Sequence, residues 1–452
     1  MALEVVILAA GKGTRMRSKT PKVLHEVAGK PLLKHVIDTV KLINAEHIHI
    51  IYGHEGEQVK QAMADESLNW IDQENQLGTG HAVLQALPFL NVNNDVLILY
   101  ADVPLLSDNT LTALIDKGSK ADLVLLTALL DEPFGLGRII YDNNMIAGIV
   151  EEKDATDSQK KIKEINSGVM FTKVEHLQRW LPKLKSNNAQ GELYLTDIVS
   201  MAVKDSLTVL KHQVSLPIEV QGVNDLIQLE EVERAHQKLT IEHLMRQGLT
   251  VRDKSRLDIR GELICGSDVK VDINVIFEGK VTLEDNVLIG ANCIIRNSII
   301  KNGAVIHENS VVDNSIVGKG ANVGPFARLR PGSELGEKSK VGNFVEMKKT
   351  LLGEGSKVSH LSYIGDATVG KQVNIGAGTI TCNYDGVNKH KTIIDDGAFV
   401  GSGTQLVAPI QVGKNATIGA GTTLRREAPS EALTLTKSPQ VTISSWQRNK
   451  KN

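Results

Sequence analysis

Four groups of residues combine polar chemistry with a spacing that could put it to use. Directly after the apolar run 5–10 comes Gly11-Lys12-Gly13-Thr14-Arg15-Met16, followed by Ser18, Pro21 and Lys22. Glycines there let backbone amides approach phosphate oxygens, and Arg15 and Lys22 can neutralise charge that develops on a triphosphate during transfer. The spacing is not that of a Walker A loop, which needs Gly-Lys followed by Ser or Thr, and a tight turn is the plain alternative. In the second group, Tyr100-Ala101-Asp102-Val103-Pro104-Leu105, an acid ends the buried run 96–100. A carboxylate so placed can hold Mg²⁺, a hard ion that takes oxygen ligands and bridges substrate phosphates, although an Asp at a strand end also serves as a turn residue or helix cap.

The third group is a pair of cations, Arg330 and Lys348, each following an aliphatic residue of a six-residue repeat and separated by eighteen positions. If eighteen residues make one coil, the two stack at about 4.8 Å. Without a carboxylate between them they either splay into solvent or share an anion. The fourth is His360, two residues after the inward Val358 and close to Tyr363, so its ring points away from the core. A surface histidine is usually inert, yet a reaction that removes a proton near neutral pH needs a base of matching pKa, and histidine is the usual one.

These groups need two different scaffolds. In the first half, apolar runs at 5–10, 48–52, 96–100 and 123–126 alternate with helical-period segments such as 32–42, which predicts a Rossmann-like α/β domain with a mainly parallel sheet. Ligands of such sheets bind beyond the carboxyl ends of the strands, where Gly11 and Asp102 stand. Asn224 or Asp225 can cap a helix that carries Leu226, Leu229, Val232, Ala235 and Leu239 at helical spacing and stops at Gly248.

Beyond it, sixteen aliphatic or sulfur residues fall six apart: Leu257, Leu263, Val269, Val275, Val281, Val287, Cys293, Ile299, Val305, Val311, Val317, Val323, Leu329, Leu335, Val341 and Met347. The register slips by one and resumes through Leu352, Val358 and Ile364, then from Ile394 to Leu424. This predicts a parallel β-helix with those residues inside, and the polar stretch 381–390 leaves it as a loop, either a tolerated insertion or part of a site. The predicted domains are 1–224, a connecting helix 225–248, and 249–452.

The 51 Lys and Arg against 53 Asp and Glu leave no field that favours nucleic acid or an anionic membrane, so anion sites must be local. Cys265, Cys293 and Cys382 are odd in number and lack CxxC or Cys/His clustering, which argues against disulfides and zinc and for a reducing compartment. No run has membrane-spanning length and residues 5–10 are too short for a signal-peptide core, so a cytoplasmic protein is expected.

Residues 8–22, Gln73 with Leu77-Gly78-Thr79-Gly80-His81-Ala82, Tyr100-Ala101-Asp102, Gly135-Leu136-Gly137-Arg138, Ile149-Val150-Glu151, Glu164-Ile165-Asn166-Ser167-Gly168 and Gly222-Val223-Asn224 closely resemble the nucleotide-sugar pyrophosphorylases. With the segment 357–366 around His360, the likeness runs nearly end to end. It is to the bacterial bifunctional N-acetylglucosamine-1-phosphate uridyltransferases and glucosamine-1-phosphate acetyltransferases, whose second domain is a left-handed β-helix.

The resemblance implies uracil and ribose contacts from Leu8, Ala9, Ala10, Gly11, Gln73, Gly78 and Thr79, and sugar contacts from Gly137, Glu151 and Asn166. Lys22, Tyr100 and Ala101 complete that site, Arg15 and Lys22 act in catalysis on UTP, and Asp102 and Asn224 hold Mg²⁺. In the second domain it implies that His360 is the base and that Arg330, Lys348, Tyr363 and Asn374 bind the amino-sugar phosphate. Acetyl-CoA would be surrounded by Ala377, Asn383, Tyr384, Ser402, Ala420 and Lys437. Here the chain departs from the pattern, which often has Arg at this last position; Lys keeps the charge but loses the planar fork, so a weaker CoA phosphate contact is expected. A cytoplasmic homotrimer with small-molecule substrates and a cell-envelope role, in peptidoglycan and lipopolysaccharide synthesis, is also implied. The rival reading is a single-function nucleotidyltransferase with a structural or regulatory β-helix.

Overall fold

The computed structural model describes all residues except 1, 12, 54, 55, 65, 438 and 449–452; Lys12 of the glycine-rich turn and Ser438 beside Lys437 therefore lie outside the described residues. The chain divides into compact units 1–236 and 237–452, and the division falls inside a helix, Leu226–Arg246. Asp225 caps that helix, its carboxylate accepting from the Ile227 and Gln228 amides. At the other end Gly248, at φ 113°, turns the chain out of it.

The first unit is built on one mixed sheet. Its strands are β1 (Leu3–Leu8), β2 (His47–Tyr52), β3 (Asn69–Asp72), β4 (Asp95–Tyr100), β5 (Leu123–Leu129), β6 (Arg138–Asp142), β7 (Met145–Val150), β8 (Glu164–Lys173) and β9 (Val209–Gln213). Their order is β9-β5-β8-β4-β1-β2-β3, with the β6–β7 hairpin joined to β8. The central strands are apolar on both faces because both are covered: Val5, Ile7, Leu97 and Leu99 enter one core and Val6, Leu8, Val96 and Ile98 the other. β1 runs parallel to β2 and β4, so the turns after Leu8 and Tyr100 emerge side by side, which is how residues ninety positions apart come to share a site.

β8 runs antiparallel between β4 and β5, a departure from the simple parallel pattern. Its register shifts between Asn166 and Met170, and Gly168 sits there at φ +87° with the Tyr100 ring where a Cβ would be, 2.4 Å away. Only glycine allows both that backbone and that approach.

The second unit is a left-handed parallel β-helix whose short strands form parallel ladders, as in Lys340↔Lys357↔Asn374. Along most coils the buried residues come in pairs two positions apart, such as Val275 with Phe277 and Ala327 with Leu329. This corrects the sixteen-residue series. Leu257 to Cys293 occupy the first position of the pair and Val317 to Met347 the second. Between them, Ile299, Val305 and Val311 do not face inward at all: Ile299 is 40% exposed, and Ile300, Ile306 and Val312 are the core residues.

The cause is coil length. Lys270 pairs with Leu288 eighteen residues on, but Leu288 pairs with Val305 and Ile294 with Val311 after only seventeen, so a strict six-residue count drifts off the core. The polar insertion is also shorter than expected, because Ile380–Cys382 remains a coil strand with Thr381 buried. The loop proper follows Cys382. Asp385 braces it by accepting from His390 and from the Asn388 and Val387 amides, contacts that hold its carboxyl far below the usual range.

Candidate functional site

In the first unit, Leu8, Ala9, Ala10, Gly11, Lys22, Gln73, Gly78, Thr79, Tyr100, Asp102 and Asn224 line a single cavity of about 500 Å³. Leu8 to Gly11 are the exit of β1, Gln73 follows β3, and Tyr100 to Asp102 end β4. Gly78, at φ 111°, starts the helix Thr79–Ala86, and its missing Cβ clears the Leu193 carbonyl. Ala101, expected at this site, is instead buried in the core between the lining residues Tyr100 and Asp102 and does not itself line the cavity.

On the cavity wall the Lys22 ammonium is ion-paired with Asp102 Oδ2 and stands 3.5 Å from Asn224 Oδ1. Arg15 donates to the same Asn224 oxygen at 2.9 Å. An acidic and a neutral oxygen thus converge on one cation, held by residues from three separate segments. Hard oxygen donors that already share a cation fit Mg²⁺, which takes few protein ligands and completes its shell with phosphate and water.

Gly137, Glu151 and Asn166 lie together a short way along the sheet. The Asn166 amide donates to the Gly137 carbonyl at 2.9 Å, and a Cβ on Gly137 would lie 3.3 Å from a Glu151 oxygen. Thr196 donates to Glu151 at 3.0 Å. Burial pushes the Glu151 carboxyl up, aided by Asp154 and Asp197 and opposed by Thr196 and Arg138. Burial and the nearby carboxylates of Glu151 and Asp102 push the Tyr100 phenol up as well. Asn166 Oδ1 is buried with no hydrogen-bond partner among the described residues.

In the second unit Arg330 and Lys348 do follow paired inward residues, Leu329↔Met347. The expected bare pair of cations is corrected by Glu346, whose carboxylate accepts from Arg330 at 2.8 Å. Lys348 instead meets another lysine, Lys389 of the inserted loop, whose contact holds Lys348 below the usual lysine range, with Arg330 adding to the effect. Tyr363 belongs to the next coil of that face, opposite Glu346.

His360 is exposed, and its Nδ1 meets Asn343 Oδ1 at 2.6 Å in the coil below. An amide oxygen only accepts, so in the neutral ring Nδ1 carries the proton and Nε2 is left as a free acceptor. Lys357 pairs with Asn374 and Val358 with Ile375 one coil further. Ala377, Ser402 and Ala420 then form one corner column, linked by amides of Gly403 and Gly421 to the carbonyls of Ala377 and Ser402. Asn383 is buried and bonded to Asp366, Tyr384 is exposed at the loop, and Lys437 is exposed after the last strand.

Residues 5–149 match the family described as MobA-like NTP transferase domain, 259–343 the GMPPB C-terminal domain, and 391–426 the bacterial transferase hexapeptide with six repeats. A bifunctional protein GlmU from Marinobacter nauticus is 52% identical over 450 residues, 99% of both chains. That from Legionella pneumophila strain Paris is 53% identical over 454 residues, 99% of this chain and 98% of the relative.

The chain belongs to the bifunctional GlmU family.

As a family member it carries two transferase activities, uridyl transfer and acetyl transfer, which removes the single-function alternative. For a GlmU-type chain, sequence reasoning passed over several residues that now adjoin the sites. Gln76 and Glu192 line the cavity, and Gln76 donates to the Ala10 carbonyl at 2.8 Å. Thr196 holds Glu151, Asn343 holds His360, and Glu346 and Lys389 set the charge around Arg330 and Lys348. Only Gln76, three residues after Gln73, carried a local hint. Among the described residues no helix is long and apolar enough to cross a membrane.

Proposed function

We propose that the domain 249–452 transfers acetyl from acetyl-CoA to the amine of glucosamine-1-phosphate, and that the domain 1–224, joined to it through 225–248, then couples the product to UTP. The end product is UDP-N-acetylglucosamine, with pyrophosphate released. The observation that carries the reading is the coexistence of a nucleotide-sized cavity walled by Lys22, Asp102 and Asn224 and an imidazole oriented by Asn343.

In the first domain, a phosphate oxygen of the sugar attacks the α-phosphorus of UTP while the bond to pyrophosphate breaks. The nucleophile is already deprotonated, so no base is needed. Leu8, Ala9, Ala10, Gly11, Gln73, Gly78 and Thr79 hold the nucleotide, Gly137, Glu151 and Asn166 the sugar, and Arg15 and Lys22 draw charge off the phosphates. Mg²⁺ on Asp102 and Asn224 would supply further charge neutralisation and alignment of the triphosphate.

In the second domain, the sugar amine attacks the thioester carbonyl carbon, His360 Nε2 takes the amine proton, and the coenzyme leaves as its thiolate. Arg330, Lys348 and Lys389 surround the sugar phosphate with Tyr363 and Asn374. The column Ala377, Ser402 and Ala420, with Asn383, Tyr384 and Lys437, lies along the coenzyme. Incubation with glucosamine-1-phosphate, acetyl-CoA, UTP and Mg²⁺, leaving out one component at a time, tests the sequence of steps. Product formed without acetyl-CoA would overturn it.

Asn343→Ala is expected to lower acetyl transfer about tenfold, the lower end of what partners that orient a functional imidazole contribute. Uridyl transfer should be untouched. An unchanged acetyl rate would mean that the Asn343 contact does not select the working tautomer.

The β-helix is proposed to act as a cytoplasmic homotrimer serving cell-envelope synthesis. Phe326, Phe344 and Leu361, 50%, 55% and 62% exposed, stack on successive coils of one corner, with the two aromatic rings 5.3 Å apart. Such a column is unusual on a free surface and suits packing against another copy. Sedimentation at micromolar concentration should give three times the chain mass; a fully active monomer would count decisively against it.

A further inference from the structure

Gly137, Glu151 and Asn166 come from three separate segments, and one buried side chain stands where those segments meet. Arg138 opens β6, where it pairs with Val150 of β7 and Ile165 of β8. Each of the three sugar-site residues is thus an immediate neighbour of one member of this three-way junction. Arg138 is 1% exposed. Its guanidinium donates to Glu152 Oε2 at 2.6 Å, to the Lys160 carbonyl at 3.3 Å and to the Leu136 carbonyl. It therefore ties the turn before β6, the exit of β7 and the helix after it to one rigid plane.

We propose that Arg138 is the positioning residue of the sugar subsite, fixing Gly137, Glu151 and Asn166 in register for the N-acetylated sugar without touching it. An apolar side chain would fill the same space with less desolvation cost, so burying a cation here is poorly explained by stability alone. Lysine could not replace it, because a point charge cannot serve three acceptors spread over a fork. The guanidinium also opposes the negative surroundings of Glu151, which is faced by Asp154, Asp197, Tyr100 and Tyr194 as well as by Arg138.

The inference rests on the assignment of Gly137, Glu151 and Asn166 to the sugar, and its test separates the two. In the full chain, Arg138→Met and Arg138→Lys are expected to raise KM for N-acetylglucosamine-1-phosphate by about tenfold or more, within the range that small misplacements produce. KM for UTP should stay within about twofold. The acid limb of kcat/KM for the sugar should move to higher pH in Arg138→Met, because removing a cation favours protonated Glu151; the substrate's own titration is common to both proteins. Glu152→Gln, which keeps volume and one acceptor, should shift KM the same way by less, and it decides the matter if the Arg138 variants fail to fold. If KM for both substrates rises equally, or neither moves, Arg138 only stabilises the domain and the proposal fails. If Glu151→Gln and Asn166→Ala leave the sugar KM unchanged, the subsite assignment itself fails.

Discussion

Replacing Asp102 by alanine is expected to lower uridyl transfer by about 10³-fold or more while acetyl transfer continues at its full rate. Asp102 is, among the described residues, the carboxylate in the cluster with Lys22, Arg15 and Asn224, so its loss leaves two cations facing a neutral amide oxygen. Positioned charge of this kind is worth about 10²- to 10³-fold on its own, and a metal ligand is removed in the same step. The effect should fall on kcat and kcat/KM alike, since charge moves to the leaving pyrophosphate only in the transition state. Some stability will go too. The Lys22 and Asp102 side chains are only 12% and 16% exposed, and an ammonium left without its partner costs about 1–3 kcal/mol. Asp102→Asn keeps the shape and should show the same kinetic loss with a smaller loss of stability. Pyrophosphate release reports one activity and free thiol the other. Loss of both activities in a folded protein would sink the picture of two separate sites.

What could be read from the sequence was chemistry written locally. Gly11 and Asp102 stand just after apolar runs, and the parallel pairing of β1 with β4 was enough to bring those two turns together. Thr196 on Glu151 and Glu346 on Arg330 gave no such signal, because each contact depends on how separate segments cross. The antiparallel course of β8 was hidden for a related reason: apolar periodicity marks a strand but not its direction. In the β-helix the period was legible and its phase was not. Where coils shorten to seventeen residues the sequence has aliphatic doublets, Ile299-Ile300, Val305-Ile306 and Val311-Val312, so a strict count of six always found an apolar residue and missed the slip. Burial distinguishes the members of each doublet: the second faces the core.

His360→Ala is expected to lower acetyl transfer by roughly 10²- to 10⁴-fold, the usual contribution of a general base, with little change in KM for either substrate. The geometry makes the prediction sharper than a surface histidine would warrant. With Asn343 Oδ1 accepting from Nδ1, Nε2 of the neutral ring is presented as an acceptor. Stability should shift by under about 0.5 kcal/mol, because an exposed side chain leaves no core cavity when truncated. Uridyl transfer in the same chain should be unaffected. His360 and Asn343 act as one unit, so the double variant His360→Ala/Asn343→Ala should be no slower than His360→Ala alone, since an orienting contact is worth nothing once the ring is gone. The rate of free-thiol release for wild type, both single variants and the double variant completes that cycle. Near wild-type acetyl transfer in His360→Ala would make this imidazole an ordinary surface group. Losses that simply add in the double variant would instead assign Asn343 a role of its own.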